Sequence, residues 1–215
     1  MLREFISNDW YVVLCLVSLV VILMVKKIDA QRFSAFLKFL GNNNYLRIYL
    51  KEHSFFDRFD SLLFINFCIN IVVFGRIGYQ FIFEPVTMNL LKFSQLFSLI
   101  AIVVLLKIGL ELFLGYVLDL RTLFNILTFQ QISSYNFIGL ILLPLNAFNV
   151  FGVNFAPLAI ILTMVLILLI VVVGMTKTVQ SNLNILLNNF FYFILYLCTL
   201  EIGPYLILYK VLNRD

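Results

Sequence analysis

Six long apolar stretches constrain the fold of this chain more than any other feature. They cover approximately residues 10–25, 62–83, 93–118, 136–151, 157–175 and 190–212. A helix needs roughly 20 apolar residues to cross a hydrocarbon core about 30 Å thick. Only 12% of the 215 residues are charged, about half the share in a typical soluble domain, so a water-soluble fold is excluded. We predict an all-α, polytopic transmembrane helical bundle of about six spans, forming one integral membrane domain over residues 1–215.

Two of these stretches need separate comment. The first is short, but Trp10 and Tyr11 suit the lipid–water boundary. Lys26 and Lys27 follow its apolar run instead of preceding it, so it is not a cleaved signal peptide. The fourth, 136–151, would be only about 24 Å long as a helix. It either crosses fully or forms a re-entrant hairpin with the fifth.

Basic residues predict the orientation of the bundle. Segment 26–61 carries seven of them, which by the positive-inside rule places it in the cytoplasm: Lys26, Lys27, Arg32, Lys38, Arg47, Lys51 and Arg58. Both termini are then periplasmic, and the predicted location is a bacterial inner membrane. Because the basic residues flank apolar runs, we interpret them as topology signals and expect no nucleic-acid partner.

Amphipathic patterns occur outside the spans. In the cytoplasmic loop, Phe33, Phe36, Leu37 and Leu40 recur at helical spacing before Gly41, and a second aromatic and basic patch covers residues 45–59. We expect two interfacial helices there. A similar stripe connects the third and fourth spans, before the polar run 130–136; it consists of Leu120, Leu123, Phe124 and Leu127.

Four ionisable side chains lie within the predicted spans: Arg76, Lys107, Glu111 and Glu201. Each needs a partner or water, because an isolated charge in hydrocarbon is costly. Lys107 and Glu111 are four residues apart and can pair on one helical face. We predict that Arg76 contacts Glu201.

The sixth span carries the most informative local pattern. Glu201, Tyr205 and Tyr209 share one stripe, and Pro204 removes a backbone donor within it. Glu201 is either a proton or ligand site or an interhelical pin, and we favour the pin because the four charges balance. In the fourth stretch, Pro144, Asn146 and Asn149 indicate a broken helix. These residues either line a site or form hydrogen bonds across helices, and we favour the hydrogen bonds.

Catalytic and metal-binding signals are weak. Asp57 and Asp60 resemble half of the paired acidic motif that binds Mg²⁺ and diphosphate in membrane prenyltransferases, but the sequence has no second cluster. Acidic residues also suit a helix N-terminus, which is the interpretation we favour. His53, the single histidine, has no cysteine nearby. We predict no catalytic residues, no metal and no cofactor. A lipid-modifying enzyme using Asp57 and Asp60 ranks third among the functions.

Three segments carry a resemblance to a known family: KFLGNNNYLRIYLKEHSFFDRFDSLLFINF, FIGLILLPLNAF and EIGPYLILYK. They resemble the Bacteroidetes (flavobacterial) membrane protein family of unknown function DUF4271, over nearly the whole chain. The resemblance implies an inner-membrane helical bundle in bacteria with two membranes, and it implies no activity.

These observations predict a non-enzymatic inner-membrane protein. It would be a structural or accessory subunit, or an assembly factor, of an envelope complex such as protein secretion or motility machinery. Its partners would be membrane lipids and other membrane or envelope proteins. The alternative is a small transporter or proton-coupled channel that uses intramembrane Glu201.

Overall fold

The computed structural model describes residues 9–38, 57–82, 90–151 and 156–181, and this part of the chain is helical without strands. Its helices are α1 (Asp9–Ile28), α2 (Ala30–Leu37), α3 (Arg58–Ile82), α4 (Leu90–Val117), α5 (Arg121–Phe151) and α6 (Ala156–Ser181). All except the short α2 are long and apolar enough to cross a membrane. The predicted all-α membrane bundle is therefore confirmed. The predicted sixth span, 190–212, lies outside the described residues.

Helix α2 is the first of the two amphipathic helices predicted in the loop after α1. The Asp29 side chain caps it by accepting a 2.8 Å hydrogen bond from the Arg32 backbone N–H. Phe33 and Phe36 are buried while Leu37 is exposed, so α2 turns one apolar edge towards the bundle. The second predicted helix lies largely outside the described residues.

The core of the bundle forms where α3 packs against α5, which is the most extensive contact between described helices. Asn136 bonds to Asp60 and Asn146 bonds to Asn70, with the same sequence separation of 76 residues in both pairs. The two helices therefore run parallel and stay in register over about 15 Å. Large side chains fill the core around them: Phe36, Phe59, Leu63, Phe67, Phe129, Phe137 and Leu142.

Helix α5 corrects the prediction for the fourth stretch. The helix begins at Arg121 and not at Asn136, so the predicted connecting stripe and the polar run 130–136 both belong to it. Its 31 residues extend about 46 Å, longer than the hydrocarbon core. Gln130, Ser134 and Asn136 are buried, because this part of α5 packs inside the protein and does not face lipid.

Helix α5 is also not broken at Pro144, contrary to the prediction. The proline lies inside the continuous helix, and its ring is exposed. A proline in this position removes the N–H that would bond to the carbonyl four residues earlier. The helix continues past Pro144 despite the missing hydrogen bond.

Helices α4 and α5 are joined by a tight turn. The Leu120 N–H bonds to the Gly115 carbonyl at 3.0 Å, and Asp119 has a positive φ of 55°. A Cβ on Gly115 would be 2.7 Å from Phe124 Cβ, so only glycine lets the two helices close at this point.

Candidate functional site

The most strongly charged cluster of the described residues joins α2 to the start of α3. Arg32 is the residue that α2 turns inward, and its side chain is only 7% exposed. Its Nη1 lies 2.5 Å from Asp57 Oδ2 and its Nη2 lies 2.6 Å from Asp60 Oδ2. The guanidinium also stacks on the Phe59 ring, 4.5 Å from the ring centroid. We call these four residues, with Asn136, the arginine cluster.

Asn136 connects the arginine cluster to the core helix α5. Its Nδ2 lies 3.3 Å from Asp60 Oδ1 and 3.4 Å from the Asp60 carbonyl oxygen. Asp60 is almost fully buried, so the cluster surrounds a carboxylate that water barely reaches. The helix N-terminus that the sequence suggested for Asp57 and Asp60 is present in α3, and Arg32 adds a direct ionic partner.

An apolar groove begins at the arginine cluster. It has a volume of about 290 Å³ and lies between α3 and α4, with one contribution from α5. Its polar end is formed by Asp60 and Ser61, and the rest is apolar apart from the Cys68 thiol. The lining residues are Asp60, Ser61, Phe64, Ile65, Cys68, Phe97, Ala101, Leu105, Ile108 and Ile132.

A second group of polar side chains lies deeper in the bundle and joins α1, α3 and α5. Asn70 Nδ2 bonds to Ser18 Oγ at 3.2 Å and to Asn66 Oδ1 at 3.1 Å. Asn146 Nδ2 donates to the Asn70 carbonyl at 2.9 Å. We call these four residues the asparagine cluster; all four are buried. The hydrogen bonds across helices that we favoured for Asn146 are present.

Asn149, the other polar residue predicted in this stretch, lies near α6. Its Nδ2 is 3.5 Å from Thr163 Oγ1, which itself donates to the Ala159 carbonyl at 2.7 Å. The Asn149 contact is therefore long and at the limit of a hydrogen bond.

The predicted pair of Lys107 and Glu111 is present. Lys107 Nζ lies 3.9 Å from Glu111 Oε1, and Glu111 is fully buried. Thr128 Oγ1 of α5 donates to Glu111 Oε2 at 3.1 Å. The carboxylate therefore links α4 to α5 as well as pairing within its own helix.

The predicted contact between Arg76 and Glu201 stays a prediction. Arg76 lies with its guanidinium 5.8 Å from the centroid of the Tyr11 ring, between α3 and α1. Glu201, Tyr205 and Tyr209 lie outside the described residues, so the stripe on the sixth span has no structural test here.

Several buried polar atoms have no hydrogen-bond partner within the part of the chain that the structure describes. They include Asn66 Nδ2, Gln130 Oε1, Ser133 Oγ, Asn136 Oδ1, Asn146 Oδ1 and Asn149 Oδ1. Such groups are uncommon in native proteins, because each costs desolvation energy without compensation. They lie on α3 and α5, along the same interface as the two clusters.

Sequence reasoning missed Arg32, Asn66, Asn70 and Asn136 as members of these clusters. Arg32 was counted only as a topology signal, and its carboxylate partners lie 25 and 28 residues away. One available signal was the repeated spacing of ten residues, between Asp60 and Asn70 and between Asn136 and Asn146. Equal spacing on two helices is what parallel packing in register requires.

Within the described residues, no group of three or more His, Cys, Asp or Glu side chains is placed to hold a metal ion. Cys15 and Cys68 are free thiols. What the arrangement provides is a charged, partly buried cluster beside an apolar groove and a separate set of amide contacts deep in the bundle.

Comparison with known proteins gives one result. The sequence model of a family described as Domain of unknown function (DUF4271) matches residues 11–212. No curated protein and no solved structure shows a significant match to the chain.

Proposed function

Because the chain belongs to the DUF4271 family, whose function is unknown, its role must be inferred from its own residues, and we propose a structural one. In this proposal the chain is a non-enzymatic protein of a bacterial inner membrane. It serves as an accessory subunit or assembly factor of an envelope complex, for example in protein secretion or motility.

One observation carries this proposal: the buried polar groups of the described helices contact one another across helix interfaces. Arg32 joins α2 to α3, Thr128 joins α5 to Glu111 of α4, and Asn146 joins α5 to α3. Side chains used in this way fix the relative positions of helices. A rigid bundle of this kind is suited to present surfaces to partners.

Helix α4 offers the surface on which a partner is expected. Only a small share of the residues in the apolar stretch of α4 is buried within the chain. Leu99, Ile102, Leu106, Leu110 and Phe113 are all more than half exposed. In a membrane these side chains contact lipid or another membrane protein.

Photo-crosslinking in the native membrane tests this proposal. A photoreactive residue at Leu106, which is exposed, should yield one protein adduct of defined mass, and the partner should co-purify in gentle detergent. The same residue at Ile138, which is buried in the core, is the control and should yield adducts within the chain. Lipid adducts alone at Leu106, without a stoichiometric partner, would contradict the proposal.

A small transporter or proton-coupled channel that uses Glu201 is the second candidate. The observation that favours it is the set of buried polar atoms without partners on α3 and α5, because such atoms can be satisfied by internal water. Proteoliposomes containing Glu201→Gln separate the two functions. If Glu201 relays protons, the variant should lose flux while the protein stays folded. If Glu201 is an interhelical pin, the variant should lose thermal stability.

A further inference from the structure

The groove between α3 and α4 and the arginine cluster lie along the same face of α3. The cluster is at the N-terminal end of this helix. Asp57, Ser61, Phe64 and Cys68 follow one another at three- and four-residue steps, so they form one stripe of the helix. Ser61, Phe64 and Cys68 line the groove, and the Asp57 side chain, 44% exposed, comes one turn before it. The stripe therefore passes from an accessible carboxylate to an apolar channel.

The groove opens to the hydrocarbon region. Ile65 and Leu105 line it, and both are exposed, while each belongs to a helix that can cross the membrane. A flexible apolar chain can enter such a groove from the surrounding bilayer.

The polar end of the groove carries an accessible acceptor. Asp57 uses Oδ2 for Arg32, and its Oδ1 has no described partner. Of the two carboxylates bonded to Arg32, Asp57 is the accessible one, with its side chain 44% exposed against 3% for Asp60. A ligand that fits this end should carry positive charge and N–H donors.

We propose that the groove binds a phospholipid with a primary ammonium headgroup, phosphatidylethanolamine. The ammonium group donates to Asp57 at the mouth of the groove, and one acyl chain lies along Phe64, Ala101 and Ile108 towards Cys68. The exposed Arg58, the next residue of α3, supplies a positive charge at the same end of the helix for the lipid phosphate. In the predicted orientation this lipid belongs to the cytoplasmic leaflet.

Native mass spectrometry of the full chain tests the proposal. The protein is released from nanodiscs that contain equal amounts of phosphatidylethanolamine, phosphatidylcholine and phosphatidylglycerol with identical acyl chains. Retained phosphatidylethanolamine should exceed each of the other two at least fivefold. Phosphatidylcholine keeps the positive charge but has no N–H, and phosphatidylglycerol keeps the acyl chains but has no cation.

Two sets of variants separate headgroup recognition from acyl-chain binding. Asp57→Asn should lower the at least fivefold preference for phosphatidylethanolamine to nearly equal retention of the three lipids and leave total lipid binding nearly unchanged. Ala101→Leu and Ala101→Phe should lower binding of all three lipids in a graded way, because they fill the groove. Ile102→Phe, at an exposed position of the same helix, is the matched control and should change neither quantity.

Three results would overturn the proposal. The first is equal retention of phosphatidylethanolamine and phosphatidylglycerol by the unmodified protein. The second is lipid retention that both substitutions at Ala101 leave unchanged in protein that melts at the normal temperature. Preferential retention of phosphatidylglycerol would instead assign the groove to anionic lipid and would also contradict the proposed headgroup.

Discussion

Gly139 of α5 lies directly against the backbone of Phe67 in α3. A Cβ built at position 139 would be 2.5 Å from Phe67 Cα and 2.8 Å from its backbone nitrogen. Backbone atoms cannot move aside as the end of a side chain can, so only glycine allows the two helices to approach this closely. Small residues at such crossings are typical of helix packing in membranes.

Gly139→Ala should therefore destabilise the protein. The added methyl group must separate α3 from α5, and overpacking of this kind costs about 1–3 kcal/mol. Thermal unfolding in detergent measures the loss. Gly109→Ala is the matched control, because no heavy atom lies within 4 Å of its Cβ position; equal stability of the two variants would show that the close approach does not matter.

Arg32→Met should destabilise the protein more than the loss of a surface charge would. The change leaves the Asp60 carboxylate without its guanidinium at a nearly fully buried position, and breaking a buried ion pair on one side costs about 3–5 kcal/mol. Denaturant titration of the purified protein gives the change in free energy of unfolding.

Two further variants control the Arg32 experiment. Lys38→Met removes a positive charge that is exposed at the end of α2 and should have little effect. Adding Asp60→Asn to Arg32→Met should restore part of the lost stability, because the second change removes the buried carboxylate charge that has lost its guanidinium. A double variant less stable than Arg32→Met would show that the ion pair is not the cause.

Asn70 of α3 and Ser18 of α1 should be energetically coupled. A double-mutant cycle with Asn70→Ala and Ser18→Ala, which remove the 3.2 Å bond from Asn70 Nδ2 to Ser18 Oγ, should give a coupling free energy of about 0.6 kcal/mol, the usual size for hydrogen bonds between membrane helices. Asn70 and Thr163 lie on different helices and share no described hydrogen bond, so a cycle between them should give a value near zero. Equal coupling in both cycles would contradict the assignment of the asparagine cluster.

The predicted orientation can be tested by labelling single cysteine substitutions in spheroplasts with a membrane-impermeant maleimide. Lys92→Cys should react from the periplasmic side, whereas Lys38→Cys should react only after lysis. Both side chains are exposed. The unmodified protein controls for its own three cysteines. Labelling of Lys38→Cys in intact spheroplasts would reverse the topology.

Hydropathy located α1, α3, α4 and α6 close to the predicted stretches, because these helices consist mostly of apolar residues. It failed at the start of α5, where Gln130, Ser133 and Ser134 are buried in protein and do not face lipid. An average over a window of sequence cannot distinguish these two environments. The prediction of a short, interrupted helix followed from that limit.

Pairs of polar residues could likewise be predicted only where the two residues are close in the sequence. Lys107 and Glu111 were predicted as partners because helical spacing alone brings them together. Arg32 and Asp60, 28 residues apart, and Asn70 and Asn146, 76 residues apart, are joined by packing between helices. Their partners depend on which helices are neighbours, and local spacing does not contain that information.

The parallel register of α3 and α5 has a consequence for biogenesis. Two parallel spans cannot become neighbours until the intervening α4 has crossed back through the bilayer. When α3 enters the membrane, Asn70 already has Ser18 of α1 available, but the residues that pair through α5 have not yet been synthesised. Asn136 and Asn146 therefore complete their contacts with α3 only after α5 has been synthesised and inserted.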